Sequence, residues 1–163
     1  MAKIEIVTYD RSQAESIADE LRDFEIMSIG GSPSGREAML QWFDIMETQA
    51  ILVTFMAEDR VAAIFAGMRL NATTLEVWAY TGKVVDESVR EFWKASVRGL
   101  ESLLQVHEGL TRIQCHVDER HVKSRAWVER LGFHNETPDG MRNYGSENET
   151  YMLYAKTIGG NHG

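Results

Sequence analysis

Few residues in this chain have both the type and the spacing to do chemistry. Cys115 is its only cysteine, which excludes an internal disulfide and fits a reducing compartment. It sits in the alternating run Thr111 to Val117 (TRIQCHV), where a cysteine reads as a small buried side chain and not as a nucleophile. His107, His116 and His134 lack the spacing of metal ligands, and with one cysteine available no zinc site is expected. Arg112, Arg120, Lys123, Arg125 and Arg130 form the most basic stretch, but Asp118, Glu119 and Glu129 lie among them. That mixture reads as a solvated surface. With a formal charge of −8 it argues against nucleic acid as a partner. The most informative run is Thr74 to Thr81 (TLEVWAYT). As a strand it puts Leu75, Val77 and Ala79 on one face and Glu76, Trp78 and Tyr80 on the other.

The elements that position these residues follow from periodicity. The chain has 163 residues, the size of one domain, and two prolines and 13 glycines leave no room for a long linker. We expect a single domain over 1–158 and a short tail over 159–163. No apolar stretch reaches the length of a membrane span, and Met1 to Tyr9 alternates as a strand without a signal peptide's apolar core. After that strand, Asp10 and Ser12 offer helix caps to Ala14, Ile17, Ala18 and Leu21. Gly30 to Gly35 (GGSPSG) reads as a loop, and a second helix spans about Arg36 to Met46. Ala50 to Ala57 and Arg60 to Leu70 form a hairpin around Glu58 and Asp59, and Thr74 to Thr81 follows.

Asp86 caps the longest helix, whose apolar stripe is Val89, Phe92, Trp93, Val97, Leu100, Leu103 and Leu104. A strand at Thr111 to Val117 leads to a short helix with Val122, Ala126, Trp127, Val128 and Leu131 as its apolar set. Gly132 stops that helix in a left-handed conformation. Strands near Met141 to Tyr144 and at Thr150 to Thr157 close the chain. The order β, α, α, β, β, β, α, β, α, β, β implies an α/β fold with one mixed central sheet of about seven strands and helices on both faces.

This order, with the helix exit Ser124 to Phe133 (SRAWVERLGF), resembles the GNAT acyl-CoA N-acyltransferase superfamily from Ile4 to Thr157. More narrowly, Val77 to Lys83 (VWAYTGK), the helix residues Arg90, Phe92, Trp93, Lys94 and Arg98, and a tail of Tyr144-Gly145 followed by Tyr151 to Tyr154 (YMLY) are similar to small GNAT-like proteins of bacteriophages. These include internal virion protein A of short-tailed phages. The superfamily resemblance implies acetyl-CoA as cofactor. Its pyrophosphate would sit on backbone N–H groups at the start of the long helix, in a loop patterned as Arg or Gln, two residues, Gly, one residue, then Gly or Ala. By the same resemblance Trp78, Tyr80, Gly82, Lys83 and His121 are the cofactor-binding candidates, and Glu76 is the general base for a substrate amine.

The sequence departs from that pattern in two places. From Tyr80 to Trp93 (YTGKVVDESVREFW) Gly82 is the only glycine, and Asp86 and Glu87 would repel a pyrophosphate that Lys83 only partly offsets. Eleven residues before Gly132, where the family often has asparagine, stands His121. Four residues before Gly132, where the family has its proton-donating tyrosine, stands Val128. Tyr80, Tyr144, Tyr151 and Tyr154 are substitute acids by type, although strand tyrosines are commonly core or rim residues. The reading that follows is a phage-type GNAT-fold protein with degenerate acetyltransferase motifs. It would use no cofactor and would act by contacts with other virion or phage proteins, in the particle or the host cytoplasm. The alternative is an acetyl-CoA-dependent N-acetyltransferase with a divergent pyrophosphate loop, and a third reading binds acyl-CoA without turnover.

Overall fold

The structure is a computed structural model that describes residues 3–28 and 33–159. Thirteen elements follow one another: β1 (Ile4–Thr8), α1 (Arg11–Asp19), α2 (Asp23–Ser28), α3 (Pro33–Gln49), β2 (Ile51–Ala57), β3 (Arg60–Arg69), β4 (Thr74–Thr81), α4 (Val84–Glu87), α5 (Val89–Val106), β5 (Arg112–Asp118), α6 (Val122–Arg130), β6 (His134–Asn135) and β7 (Tyr151–Thr157). The strands make one mixed sheet of seven, in the order β1-β2-β3-β4-β5-β7-β6, flanked by helices. This is the GNAT arrangement expected above. Contacts divide the chain into two compact units: Met1–Met68 with Ala79–Val106, and Arg69–Trp78 with His107–Gly163.

In the first unit, β1, β2 and β3 are joined by antiparallel ladders, and Glu58 takes the left-handed conformation that the two-residue turn requires. Asp10 caps α1 through a reciprocal box with Gln13, whose side chain accepts the Asp10 N–H at 2.8 Å. The apolar face of α1 (Ala14, Ile17) then packs with Leu21, with Met39, Leu40 and Phe43 of α3, and with Val61 and Ile64 of β3. A second aromatic group, Phe55, Phe65 and Phe92, joins the hairpin to α5.

In the second unit the β5–β7 ladder runs the full length of both strands, from Arg112↔Thr157 to Asp118↔Tyr151. Its inward face carries Ile113, Cys115, Val117, Met152 and Tyr154, with Val128 and Phe133 also buried. Gly132 ends α6 at φ +92°, as expected, and the Lys156 ammonium donates to the Leu131 carbonyl at 3.0 Å.

The structure corrects the expected elements at several points. Two short helices, α2 and α4, interrupt stretches read as irregular. Of the stretch Gly30 to Gly35 read as a loop, residues 30–32 lie outside the described residues. From Pro33 onward the chain is helical, with proline at the first helical position, where its missing N–H costs nothing. Asp86 lies inside α4 and pairs with Arg22 at 3.3 Å. The long helix starts only at Val89, because Ser88 leaves helical geometry at φ −133°, ψ 39°. The buried positions of α5 are Phe92, Ala95 and Ser96, whereas Val89 is 59 % exposed. Val122, assigned to the apolar set of α6, is also exposed. No strand spans Met141 to Tyr144. Met141 makes an isolated bridge to Tyr151, and Gly140 and Asn143, both at positive φ, break the extended chain, so His134–Asn135 is the sixth strand.

Two expectations follow from burial. Cys115 is buried, and loss of water pushes its thiol up to about 12. A thiol reagent at pH 8 is therefore expected to leave the folded protein unmodified and to titrate one group per chain in guanidinium; a fast native reaction would contradict this packing. Glu25 is buried on α2, where its carboxylate accepts from the Thr81 hydroxyl at 2.7 Å and the Thr81 N–H at 3.2 Å. Burial raises its pKa, and the Thr81 bonds and Arg22 offset that only in part. The folded state thus holds this proton more tightly than the unfolded chain, so stability falls as pH rises through the raised value. Glu25→Gln keeps the acceptor and removes the charge. It is expected to raise Tm at pH 7 by about 2–4 °C, the shift that roughly 1 kcal/mol gives at this size. The gain should vanish at pH values where the wild-type carboxyl is protonated.

Candidate functional site

The second unit gathers an acid and an imidazole on one face of its sheet. β4 and β5 run parallel, and their ladder covers Thr74–Glu76 against Arg112–Gln114 and stops there. Glu76 and Gln114 face the same side at its last rung, and His116, two residues on, is the diagonal neighbour of Glu76. The His116 Nδ1 lies 2.5 Å from the Glu76 carboxylate oxygen, with the two side chains only 16 % and 12 % exposed. A carboxylate accepts, so Nδ1 carries the hydrogen and donates. Tyr144 stacks on the imidazole with ring centres 4.9 Å apart and planes at 20°, and Tyr151 lies 5.5 Å beyond Tyr144. Burial, and then the Glu76 charge, raise the Tyr144 hydroxyl above its ordinary value, so it stays a donor at neutral pH.

The loop that presents Tyr144 is well built. The Tyr144 and Gly145 N–H groups both donate to the Glu149 carbonyl, at 3.0 and 3.1 Å, and the Asn148 N–H donates to the Gly145 carbonyl. Asn143 and Asn148 supply its two left-handed positions.

Tyr80, Gly82 and Lys83 belong to the first unit. The Tyr80 ring packs against Trp42 and Phe43, at 5.6 and 5.4 Å. Leu21 bridges antiparallel to Gly82, and five backbone donors around it bond to protein acceptors. The Thr81 N–H donates to Glu25, Gly82 to the Ala62 carbonyl at 2.8 Å, Lys83 to the Glu20 carbonyl at 2.8 Å, Val85 to Gly82 and Asp86 to Lys83. A pyrophosphate cradle needs N–H groups aimed at the ligand. These residues do not fit one, because Thr81, Gly82, Lys83, Val85 and Asp86 already donate elsewhere. The two acidic residues, by contrast, are neutralised locally. Asp86 pairs with Arg22, and Glu87 pairs with Arg60 at 2.9 Å, while Arg60 also holds Glu20 at 3.1 Å.

His121, in the family's asparagine position, is 8 % exposed. It is the N-cap of α6, its Nδ1 accepting the Ser124 N–H at 3.3 Å and its Nε2 lying 3.0 Å from the Ser124 hydroxyl. Val128 is buried at 5 %. The Tyr154 hydroxyl bonds to side chains of the same helix: it donates to Glu129 at 2.8 Å and accepts from Arg125 at 3.1 Å. Trp78 is half-buried on β4 in the same unit as Glu76 and His121.

Of the candidates, Glu76 therefore has the richest surroundings. Tyr144, a substitute acid by type, stands beside the pair, whereas His116 escaped the sequence reading as a partner. The alternation of β5 does put His116 on the face opposite Cys115, which was a usable signal. The placing of Tyr144 carried none, since a loop aims it. Among the described residues no cluster of His, Cys, Asp and Glu is arranged to hold a metal, and no helix is long and apolar enough to cross a membrane.

The amino-acid sequence matches no protein-family model and no curated protein sequence. The fold does match solved structures. An acetyltransferase from Streptococcus agalactiae 2603 superposes with a TM-score of 0.71 at 14% identity, over 97% of this chain and 100% of that one. An acetyltransferase of the GNAT family from Streptococcus pneumoniae gives 0.66 at 14% identity, over 96% and 100%. The Salmonella typhimurium protein yncA, solved with its cofactor acetyl-CoA, gives 0.66 at 10% identity, over 98% and 96%. At such identities the likeness concerns the fold alone, and the fold of this chain is that of the GNAT acetyltransferases.

Proposed function

We propose that this chain is a GNAT-fold protein that does not hold acetyl-CoA in the manner of the acetyltransferases and acts through contacts with other proteins. The observation that supports this reading is that the amides of Thr81, Gly82, Lys83, Val85 and Asp86 donate to protein acceptors. A phosphate that displaced those acceptors would have to replace each bond it broke, and a net gain requires groups that begin unpaired. Val128, where the family resemblance expects a proton donor, adds to it. The partners we propose are other proteins of a phage particle or of its assembly, on the local similarity of Val77–Lys83 and Tyr151–Tyr154. The compartment that goes with them is the virion or the host cytoplasm.

A second reading, an acetyl-CoA-dependent N-acetyltransferase with a divergent loop, draws its support from the Glu76–His116 pair. Buried ionisable pairs in open positions on a sheet are where acid–base chemistry is commonly found. In that reading Glu76 is the base, and Trp78, Tyr80, Gly82, Lys83 and His121 line the cofactor.

Calorimetry separates the two readings. Titration with acetyl-CoA up to millimolar concentration is expected to give no binding heat and no shift in Tm. Micromolar binding would overturn the first reading. Turnover of an amine that disappears in Glu76→Gln would then establish the second. For the partner claim, mass spectrometry of particles made by the phage that encodes the chain is expected to find it in the particle or in an assembly intermediate, and its absence from both would sink that claim.

A further inference from the structure

We propose that Glu76 and His116 form a carboxylate–imidazole dyad in which His116 Nε2, and not the Glu76 carboxylate, is the proton-accepting group, with Glu76 as its positioning residue. The site is independent of whether acetyl-CoA binds and so goes beyond the function proposed above.

The assignment starts from the tautomer. Nδ1 donates to Glu76 at 2.5 Å, which puts the lone pair of the neutral ring on Nε2. Glu76 and Tyr144 account for the contacts of His116 among the described residues, so Nε2 is not consumed by a structural hydrogen bond. His107 and His121 contrast with it. His107 Nε2 is a buried nitrogen without a partner in a place that depresses its pKa through burial and then Arg69, and both ring nitrogens of His121 are engaged with Ser124. Among the described residues, His116 is the histidine with one ring nitrogen against a carboxylate and no partner at the other.

The contact with the carboxylate holds one edge of that ring and leaves the other to a ligand. In the step inferred here, an N–H or O–H acid at Nε2 loses its proton to that nitrogen. The ring becomes cationic beside Glu76, Nδ1–H stays in place, and the ligand keeps its electron pair. Tyr144 lies along one side of the ring at 4.9 Å and is 52 % exposed, so it is a wall that a ligand can reach and not a core contact. Gln114, the rung partner of Glu76, is already engaged as an acceptor for Arg112 at 2.8 Å, which leaves Glu76 to His116.

Carbethoxylation of the whole protein with diethylpyrocarbonate, read by peptide mass spectrometry, tests this without a cofactor or a substrate. His134 is exposed and serves as the internal reference. In the wild type His116 is expected to be modified at least as fast as His134, despite its lower exposure. In Glu76→Gln, where the amide oxygen still accepts from Nδ1 but the charge is gone, the His116 rate should fall about tenfold relative to His134. Tyr144→Ala should leave His116 at least as reactive. A His116 that stays unmodified in the wild type, or reacts equally in Glu76→Gln, would overturn the dyad and reduce the pair to a structural contact. The wild-type comparison stands even if a variant fails to fold. Since acetyl-CoA titration reads a different property, the dyad and the proposed function fail separately.

Discussion

Gly82 has no room for a side chain. A Cβ there would stand 2.7 Å from the carbonyl oxygen of Val61, closer to backbone than packing tolerates, with the carbonyl oxygen of Glu20 at 3.4 Å. Much of the first unit follows from that approach. Because the backbones touch, Gly82 donates to Ala62, Lys83 donates to Glu20, and Arg22 donates back to the Thr81 carbonyl. The residues after α1 thereby become a short strand-like partner of the β4 exit, sealed at one end by Arg60 between Glu20 and Glu87 and at the other by Arg22 and Asp86. The glycine read from the sequence as the lone remnant of a phosphate loop is better explained by this crossing of backbones. It serves close approach to another segment of the chain, and close approach to a ligand would have required the same amides.

The division between what the sequence discloses and what it hides is physical. Alternation gave the strands, because a half-buried strand must alternate, and Leu131-Gly132-Phe133 marked a helix exit, because a left-handed stop favours glycine. The short helices α2 and α4 stayed hidden. Six residues and four residues are too few to establish a period, and α4 is interrupted by the geometry of Ser88 and not by a breaker in its composition. The exposed Val89 and Val122 misled for a related reason: both stand at helix starts, where the helical stripe has not yet met the sheet. At the site, alternation placed Glu76 on its strand and the family resemblance singled it out. His116 needed the register of β4 on β5, which a single sequence does not contain, and Tyr144 needed the turn geometry of Asn143 and Asn148.

Both units keep buried ionisable groups, and they keep them differently. Glu25 is held at one carboxylate oxygen by the hydroxyl and N–H of one threonine, with an arginine near, which does not cancel the cost of burying its charge. Asp118 is better compensated. Although burial is the largest influence on it, two side-chain bonds and one backbone bond from Arg120 outweigh burial and hold the carboxyl below its ordinary range. Glu76 resembles neither, since its partner His116 can change charge where an arginine cannot. A group meant only to neutralise Glu76 would be served better by arginine. The choice of an imidazole is the chemical reason for reading this pair as more than a strut.

The fold likeness and the site chemistry therefore point in different directions, and physics says which carries weight for which question. A TM-score near 0.7 over almost the whole chain speaks to the sheet order and the packing of helices on it. Those depend on the apolar pattern and tolerate wide sequence change. Binding a pyrophosphate depends on a handful of amides, and a backbone crossing that spends them can arise with little disturbance to the sheet. The acid–base pair depends on something else again: two strands whose ladder ends at the rung where the acid stands, so that the next residue of interest faces out beside it. That condition is met in the second unit whatever happens at the amides of the first. In such a fold a cofactor grip and a proton-transfer site can be gained or lost separately, because the two are built by different residues and stabilised by different forces.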